Sequence, residues 1–366
     1  MKQLTAIAIS GGVDSLTAAY LLKKQGHKLI GIHFITGYEA KPFYHKNIKD
    51  FENSETTPSS TKDYICQKVS KLAEQLGICI EIIDCSAEFK KNVVDNFIQT
   101  YKAGKTPNPC MVCNTSIKFG TVLDFARKMG AKHIATGHYA RVIKDRKNKH
   151  HLLKGIDQQK DQSYFLALLK QKQLAGACFP LGDLTKSEVI KISKGKKLKP
   201  IVNRESQDIC FIKDNNYGYF LEQQQSFKPK PGLIKDIKGN LLGEHRGLHL
   251  YTIGQRKGIN CPASEPYYVV SIDIKHNILI VGSKKDLLLK ECKVIKINWI
   301  NQKPTSPIKI YARIRYRHKA VEASLLPIGK QTAIVRFKNP QSAITPGQGA
   351  VFYKADEVIG GGWIES

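Results

Sequence analysis

The feature that most constrains the fold is a paired-glycine turn that follows the first apolar segment and opens the first helical pattern. Its sequence is Ser10-Gly11-Gly12-Val13-Asp14-Ser15. Paired glycines let a ligand approach the backbone closely, and the start of a helix directs unpaired N–H groups at an anion. The two serines add hydroxyl donors, and Asp14 can hold a magnesium ion. We therefore predict a phosphate-binding turn without the P-loop pattern; the alternative is an ordinary junction between a strand and a helix.

Strand and helix patterns alternate over the first two hundred residues. We predict strands at 5–9, 28–34, 78–84 and 132–135, separated by helices at 14–25, 61–75, 88–101 and 116–128. Thr185 and Glu188 form a capping-box signal for one further helix. This alternation is typical of an α/β domain with a doubly wound parallel sheet.

Beyond residue 200 the pattern changes to short segments punctuated by proline and glycine. We predict strands at 267–272, 278–281, 308–316, 332–337 and 350–353. Regular turns between such strands favour a small β-barrel or a sandwich. The polar segment Glu39–Ser60 lacks periodicity and is predicted to form a mobile loop.

The charge balance indicates a polyanionic partner. The 58 Lys and Arg residues exceed the 31 Asp and Glu residues by 27, and such an excess attracts nucleic acid. A lysine-rich composition without function is the alternative.

No apolar window approaches the roughly 18 residues of a membrane helix, and nine cysteines, an odd number, fit a reducing compartment. We expect a cytoplasmic protein that does not associate with membranes.

Two segments carry candidate reactive thiols. Cys110 and Cys113 lie in a proline-rich stretch, residues 106–114, that we expect to be a loop ahead of a helix, and Cys210 lies in residues 205–212. A thiol at a helix N-terminus in a basic protein should have a lowered pKa. The alternatives are buried structural cysteines, our interpretation of the other six, or half of a zinc site, for which no partner pair has convincing spacing.

Together, these motifs resemble a known family. The glycine turn resembles the S-G-G-x-D-S motif of the PP-loop ATP pyrophosphatases. Over residues 5–365 the chain also resembles the bacterial tRNA-specific 2-thiouridylases. The motifs that carry this resemblance are T-P-N-P-x-x-x-C-N at 106–114, A-T-G-H-Y at 135–139, K-D-Q-S-Y-F-L at 160–166, E-S-Q-D-I-C-F at 205–211 and the run at 243–258. The resemblance implies a PP-loop domain of the adenine nucleotide alpha hydrolase-like class at 1–205, a small central domain at 206–270 and a C-terminal β-barrel contacting tRNA at 271–366.

The resemblance also implies an activity, which is ATP-dependent replacement of the C2 oxygen of the wobble uridine by sulfur in tRNAs for Lys, Glu and Gln. Cys113 would be the nucleophile and Cys210 the persulfide carrier, with a transient Cys113–Cys210 disulfide. ATP and Mg²⁺ would be the cofactors. The partners would be tRNA and a sulfur donor, either a cysteine desulfurase or a sulfur-relay protein, and the chain would be a monomer. The alternatives are another PP-loop ligase or amidotransferase, or a tRNA-binding protein without catalysis.

Individual site residues follow from the same resemblance. The target base would contact Asn108, Pro109 and Cys110. The tRNA would contact Lys160, Asp161, Gln162, Arg315 and Tyr316. The ATP site would comprise Ala8, Ile9, Ser10, Gly11, Gly12, Val13, Asp14, Ser15, Phe34 and Gly137.

Two features qualify this set. Many family members carry an aspartate with an acid/base role where this chain has Cys110, so we predict that Cys110 is a bystander or an alternative resolving thiol. Arg313, Arg315 and Arg317 alternate along the predicted strand 308–316 and just beyond it. Because side chains alternate with period two, all three should share one face suited to phosphates; a solvated strand face is the alternative.

Overall fold

The computed structural model describes residues 4–39, 61–201, 209–212, 214, 216–262 and 265–365. Apart from Glu39, the segment predicted as a mobile loop lies outside these residues. Residues 205–208 of the second cysteine motif also lie outside them. In the part of the chain that is described, no helix has the length and apolar content needed to cross a membrane.

A five-stranded parallel sheet organises the first part of the chain. Its strands run in the order β3-β2-β1-β4-β7, every neighbouring pair is parallel, and a pair of strands, β5 and β6, follows β4 in the chain. The bounds are β1 (Leu4–Ala8), β2 (Lys28–Ile35), β3 (Ile80–Asp84), β4 (His133–Ala135), β5 (Ala140–Lys144), β6 (His150–Lys154) and β7 (Ala177–Cys178).

Helices cover both faces of this sheet. Ala6 and Ala8 of β1 face one hydrophobic core, whereas Ile7 and Ile9 face the other, as the period of two requires. The doubly wound sheet is thereby confirmed. The helices are α1 (Val13–Lys24), α2 (Thr61–Leu76), α3 (Ser86–Phe89), α4 (Asp95–Lys102), α5 (Pro109–Cys113), α6 (Leu123–Lys128), α7 (Ser163–Leu166), α8 (Gln171–Leu174) and α9 (Lys186–Gly195).

Two of the predicted helices differ from expectation. The predicted helix 88–101 is a continuous run from α3 to α4 through a π-helical segment, Lys90–Val94. The predicted start at residue 116 is wrong, because α5 begins at Pro109 and continues through a π-helical segment, Asn114–Val122, into α6. Asn108 caps this start by accepting a hydrogen bond from the Met111 N–H, and proline suits the first helical position. The cysteines at 110 and 113 are therefore helical.

The central part is a small four-stranded sheet with its own core. Its order is β10-β11-β8-β9, and a helix, α10, precedes it. The predicted strands at 267–272 and 278–281 belong to this sheet. The bounds are α10 (Tyr217–Glu222), β8 (Gly232–Asp236), β9 (Leu241–His245), β10 (Tyr268–Asp273) and β11 (Ile278–Gly282).

The last six strands form a closed barrel, which confirms the predicted C-terminal architecture. Pairing of the first strand with the last closes it. Three of its strands, β12, β14 and β17, had not been predicted, and the predicted strand 308–316 ends at Arg313. The bounds are β12 (Leu288–Trp299), β13 (Ile308–Arg313), β14 (Val321–Pro327), β15 (Ala333–Ser342), β16 (Gly349–Lys354) and β17 (Glu357–Ile364).

The first part and the barrel share one hydrogen-bonded sheet. Strand β6 pairs with β17 through Leu152–Val358 and Leu153–Glu357, and β5 extends the sheet by one strand. Backbone pairing of this kind fixes the register of the two parts. The barrel is thereby held at a defined position beside the parallel sheet.

Candidate active site

The glycine turn has the geometry of an anion site. Gly11 has a φ of +82°, which glycine adopts without strain, and Gly12 precedes α1 without a side-chain cap. Ser10 Oγ lies 3.2 Å from Ser15 Oγ, and Ser15 Oγ donates to the Gly12 carbonyl at 3.0 Å. The first N–H groups of α1 are therefore available to a ligand.

A cavity of about 290 Å³ opens at this turn. It is lined by six of the predicted nucleotide-site residues, namely Ala8, Ser10, Asp14, Ser15, Phe34 and Gly137. Ile9 is buried in the core below the turn, and Gly11, Gly12 and Val13 shape the turn without lining the cavity. A Cβ at Gly137 would lie 2.9 Å from the Asp14 backbone carbon, so a residue without a side chain is needed where the loop after β4 meets α1.

Asp14 is held by two residues that the sequence patterns do not identify as site residues. Lys186 Nζ lies 2.7 and 2.8 Å from the two Asp14 carboxylate oxygens, and the Tyr139 hydroxyl donates to Oδ1 at 2.8 Å. Lys186 is the first residue of α9, whose predicted Thr185–Glu188 capping box is confirmed. That local signal locates a helix start, but it does not indicate which carboxylate the neighbouring lysine reaches.

The cavity is predominantly positive. Among the described residues, Lys118, Lys160, Lys186 and Arg317 line it, against one carboxylate, that of Asp14. Such a surplus of cations around a helix N-terminus favours a polyphosphate ligand.

A buried histidine lies in the cavity wall beside one of these cations. His138 Nδ1 lies 2.7 Å from Thr136 Oγ1, and its Nε2 lies 3.5 Å from Lys118 Nζ. Burial, and then the Lys118 charge, lower the pKa of His138 well below its usual range. The ring is therefore neutral, and Nε2 accepts a hydrogen bond from the lysine.

The three candidate thiols lie within electrostatic reach of one another and of Lys118, which lines the cavity. Cys110 and Cys113 are half-buried on α5, and Cys210 is exposed. The expectation of a lowered pKa is wrong: burial raises the pKa of Cys110 to about 11 and of Cys113 to about 12, and also raises that of Cys210. Desolvation penalises the thiolate more than the helix start favours it. All three are free thiols in this structure.

Phe211 anchors the segment that carries Cys210. Its ring lies 5.3 to 5.9 Å from four other aromatic rings, and its side chain is buried. Ile212 is buried in the same core, against which Cys113 packs. The four aromatic neighbours of Phe211 are Tyr38, Phe89, Phe97 and Phe220.

The residues expected at the target base differ in exposure. Asn108 and Pro109 are buried, and the Asn108 side chain is engaged with Met111 N and, at 3.4 Å, with the Tyr164 hydroxyl. Cys110 is half-buried. The Asn108 side chain therefore supports the helix start, and Cys110 is the member of the set that is most open to a ligand.

The expected tRNA-contacting residues separate into two groups. Lys160, Gln162 and Tyr316 line the cavity, and Arg315 is exposed. In contrast, Asp161 is 2% exposed and accepts hydrogen bonds from neighbouring groups. Its side chain therefore faces the protein interior, contrary to a direct contact with tRNA.

The predicted arginine stripe is also wrong. Strand β13 ends at Arg313, whose guanidinium points inward to Asp161 at 3.0 Å. Arg315 and Arg317 are exposed in the following turn. Because the chain leaves the strand at Arg313, the period of two no longer applies to the later arginines.

Comparisons with known proteins match nearly the whole chain. Family models match at residues 3–214 (tRNA methyl transferase HUP domain), 219–283 (tRNA methyl transferase PRC-barrel domain) and 289–364 (Aminomethyltransferase beta-barrel domain). The chain is similar to the tRNA-specific 2-thiouridylase of Desulfosudis oleivorans, with 45% identity over 99% of this chain and 95% of the relative. The protein of that name from Geotalea uraniireducens is 42% identical over 100% of this chain and 95% of the relative.

Proposed function

The chain belongs to the tRNA-specific 2-thiouridylase family, and from that premise we propose that it uses ATP to replace the C2 oxygen of the wobble uridine by sulfur in tRNAs for Lys, Glu and Gln. The observation that carries the proposal is that Lys118, which lines a cationic cavity built on the glycine turn, acts electrostatically on both Cys113 and Cys210. One site then supplies both an anion-binding surface for ATP and thiols for sulfur.

The first proposed step activates the uridine. The C2 oxygen attacks the α-phosphorus of ATP, and pyrophosphate leaves. The unpaired N–H groups at the start of α1, with Ser10 and Lys186, would hold the phosphates, because these groups face the cavity as donors. The oxygen then leaves as part of AMP, which is a far better leaving group than an oxide.

The second proposed step delivers sulfur. Cys210 would carry a persulfide, loaded by a cysteine desulfurase or a sulfur-relay protein. The Cys113 thiolate attacks the inner sulfur, the persulfide S–S bond breaks, and a Cys113–Cys210 disulfide forms as hydrosulfide leaves. Hydrosulfide attacks C2 and expels AMP. A cytosolic dithiol reductant then reduces the disulfide and restores both thiols.

Cys110 cannot replace the aspartate of its relatives as a base. Burial raises its pKa to about 11, so the thiol remains protonated at neutral pH. Proton transfer would fall to water, tRNA phosphates or another group. We retain Cys110 as a bystander or an alternative resolving thiol.

The glycine turn does not fit a magnesium ion held by the protein. Both carboxylate oxygens of Asp14 are engaged by Lys186, and no cluster of three or more potential ligands occurs among the residues that the structure describes. We therefore propose Mg²⁺ only as the counter-ion that accompanies ATP.

Contacts to tRNA are proposed for Lys160, Gln162, Arg315 and Tyr316. Their support is their position at the cavity or on the exposed turn after β13. Asp161 would act indirectly, by holding Arg313 under that turn. A monomer is proposed as the functional unit.

The test is nucleoside mass spectrometry on unmodified tRNA for Glu, incubated with the protein, ATP, Mg²⁺ and a persulfide donor. We expect 2-thiouridine with the wild type and none with Cys113→Ser or Cys210→Ser. Cys66→Ser is the matched control, since Cys66 is an exposed cysteine of α2. Cys110→Ser should keep most of the activity if Cys110 is a bystander.

Pyrophosphate release in the same reactions separates the alternatives. Release that requires tRNA, without thiouridine, would support ATP activation but contradict the sulfur step. Release without tRNA would favour a ligase or amidotransferase acting on a small molecule. Binding of tRNA without any release would indicate a catalytically silent RNA-binding protein.

A further inference from the structure

Lys118 connects the two halves of the site. It lines the nucleotide cavity, and it belongs to the helical run that carries Cys110 and Cys113. It is also the positive group that counters the effect of burial at all three candidate thiols. No sequence motif marks Lys118 as a functional residue.

The π-helical segment explains how Lys118 comes to share a side with Cys113. The two residues are five positions apart, and in an α-helix a separation of five turns the side chain about 140° away. The segment Asn114–Val122 is π-helical, with hydrogen bonds from i to i+5. Residues five apart in such a segment lie close to one face. The irregular helix therefore brings the side chains of Lys118 and Cys113 towards one side of the run.

A side chain from another helix supports this irregular segment. Gln173 of α8 donates through Nε2 to the carbonyls of Thr115 and Phe119, at 2.8 Å each. Both carbonyls belong to the π-helical segment. Gln173 is thus a positioning residue for the geometry around Lys118.

The amine of Lys118 is further oriented by His138. Because that ring is buried and neutral, its Nε2 is an acceptor for Lys118 Nζ at 3.5 Å. Thr136 fixes the opposite side of the ring at 2.7 Å. A neutral acceptor orients the ammonium group without neutralising it, so its charge remains available to a neighbouring anion.

We propose that Lys118 takes part in sulfur transfer, by stabilising the Cys113 sulfur as an anion from the wall of the nucleotide cavity. The step is a simple ionisation in which the S–H proton passes to water and the sulfur retains the electron pair. Its place in the reaction rests on the proposed function. The ionisation itself does not, because it requires neither ATP nor tRNA.

Among the residues that the structure describes, the other charged or titratable groups around Cys113 do not supply this stabilisation. Cys210, Cys110 and Cys85 raise its pKa further, and His138 is neutral. Across the cavity, Lys186 is paired with Asp14. Lys160 and Arg317 also line the wall, but neither is among the main influences on the pKa of Cys113. Lys118 is the group that lowers the pKa of Cys113 against the rise caused by burial.

The experiment measures the rate at which iodoacetamide alkylates Cys113 at one fixed, mildly alkaline pH, quantified on the Cys113 peptide by mass spectrometry. The background is Cys110→Ser/Cys210→Ser, so that Cys113 is the thiol followed at the site. Lys118→Gln retains a donor for His138, Lys118→Met retains the apolar stem, and Lys118→Arg retains the charge. Lys128→Gln is the control, since Lys128 is exposed at the end of the same helical run.

We expect both uncharged variants to lower the alkylation rate by about tenfold or more, because at a pH well below the pKa the thiolate fraction falls about tenfold for each unit by which the pKa rises. Lys118→Arg and Lys128→Gln should keep the rate of the background protein. An unchanged rate in either uncharged variant that melts like the background protein overturns the proposal. Loss of the folded state in both uncharged variants also overturns it, in favour of a structural role for Lys118.

Discussion

Arg313 Nη1 lies 3.0 Å from Asp161 Oδ2, and the two side chains are only 14% and 3% exposed. Asp161 also accepts hydrogen bonds from the backbone N–H groups of Gly155 and Ser163 and from Ser163 Oγ. The pair joins the end of β13 in the barrel to the loop before α7 in the first part of the chain. This buried ion pair therefore links the barrel to the part of the chain that lines the cavity.

Removing the cation of this pair should destabilise the barrel. Arg313→Met leaves the Asp161 carboxylate buried without its partner, at a cost of about 3–5 kcal/mol. Both tryptophans, Trp299 and Trp363, lie in barrel strands, so tryptophan fluorescence in urea reports barrel unfolding. Arg315→Met is the control, because Arg315 is exposed and should change stability by less than about 0.5 kcal/mol. Equal effects of the two substitutions would contradict the structural role of Arg313.

Gly12 should be required for ligand binding and not for folding stability. Its φ is −83°, and a Cβ there would meet nothing nearer than Ser10 Oγ at 3.7 Å. Gly12→Ala should melt like the wild type yet bind ATP at least about tenfold more weakly, about 1.4 kcal/mol, because the methyl group occupies space beside the helix N-terminus. Isothermal titration with ATP measures the affinity.

Gly195→Ala is the matched control for this substitution, because a Cβ at Gly195 meets no atom within 4 Å and the residue lies on α9, away from the cavity lining. Unchanged ATP affinity in Gly12→Ala would argue against nucleotide binding at this turn.

Phe211 should control whether Cys113 and Cys210 can form a disulfide. Phe211→Ala removes a ring that packs against four others, and loss of a buried Phe costs about 3–5 kcal/mol of local packing. The Cys210 segment should then leave its position, and diamide-induced Cys113–Cys210 cross-linking should slow. Peptide mass spectrometry under non-reducing conditions follows the cross-link.

The conservative variant Phe211→Leu should recover most of the cross-linking rate, since it refills the core. Rapid cross-linking in a folded Phe211→Ala protein would mean that Phe211 does not position Cys210.

His151 should make barrel stability depend on pH. It lies between Glu357 Oε1 at 2.7 Å and Asp145 Oδ2 at 3.2 Å, and the bond to Glu357, followed by that to Asp145, raises the pKa of His151 despite partial burial. The protonated His151 ring therefore adds to the free energy of unfolding. This contribution is complete below the ordinary histidine pKa of about 6.5 and is lost as the pH rises through the higher pKa of the folded state.

Urea unfolding followed by tryptophan fluorescence, at one pH below the ordinary histidine pKa and one above the folded-state pKa of His151, measures the change in the free energy of unfolding. His151→Gln should flatten the pH dependence, whereas His27→Gln, an exposed histidine of the first part, should retain it. A His151→Gln protein with the wild-type pH dependence would assign the effect to another group.

Much of the fold and part of the site follow from local sequence. The parallel sheet, the barrel and the helix start at Lys186 were predicted, because strand period, turn residues and the Thr185–Glu188 capping box act over a few residues. The helix start at Pro109 was missed, although Asn108 before Pro109 is a local cap signal.

The sequence by itself determined which chemistry the chain carries: a glycine turn of the kind that suits an anion, candidate thiols and a large positive charge. Only the tertiary structure decided which groups meet. Lys186 reaches Asp14 across 172 positions, and Arg313 reaches Asp161 across 152. It also decided the direction in which the thiol pKa values shift: burial raises them, although the helix start alone favours the thiolate. Contacts between distant residues and desolvation depend on how the whole chain packs, and local patterns do not encode either.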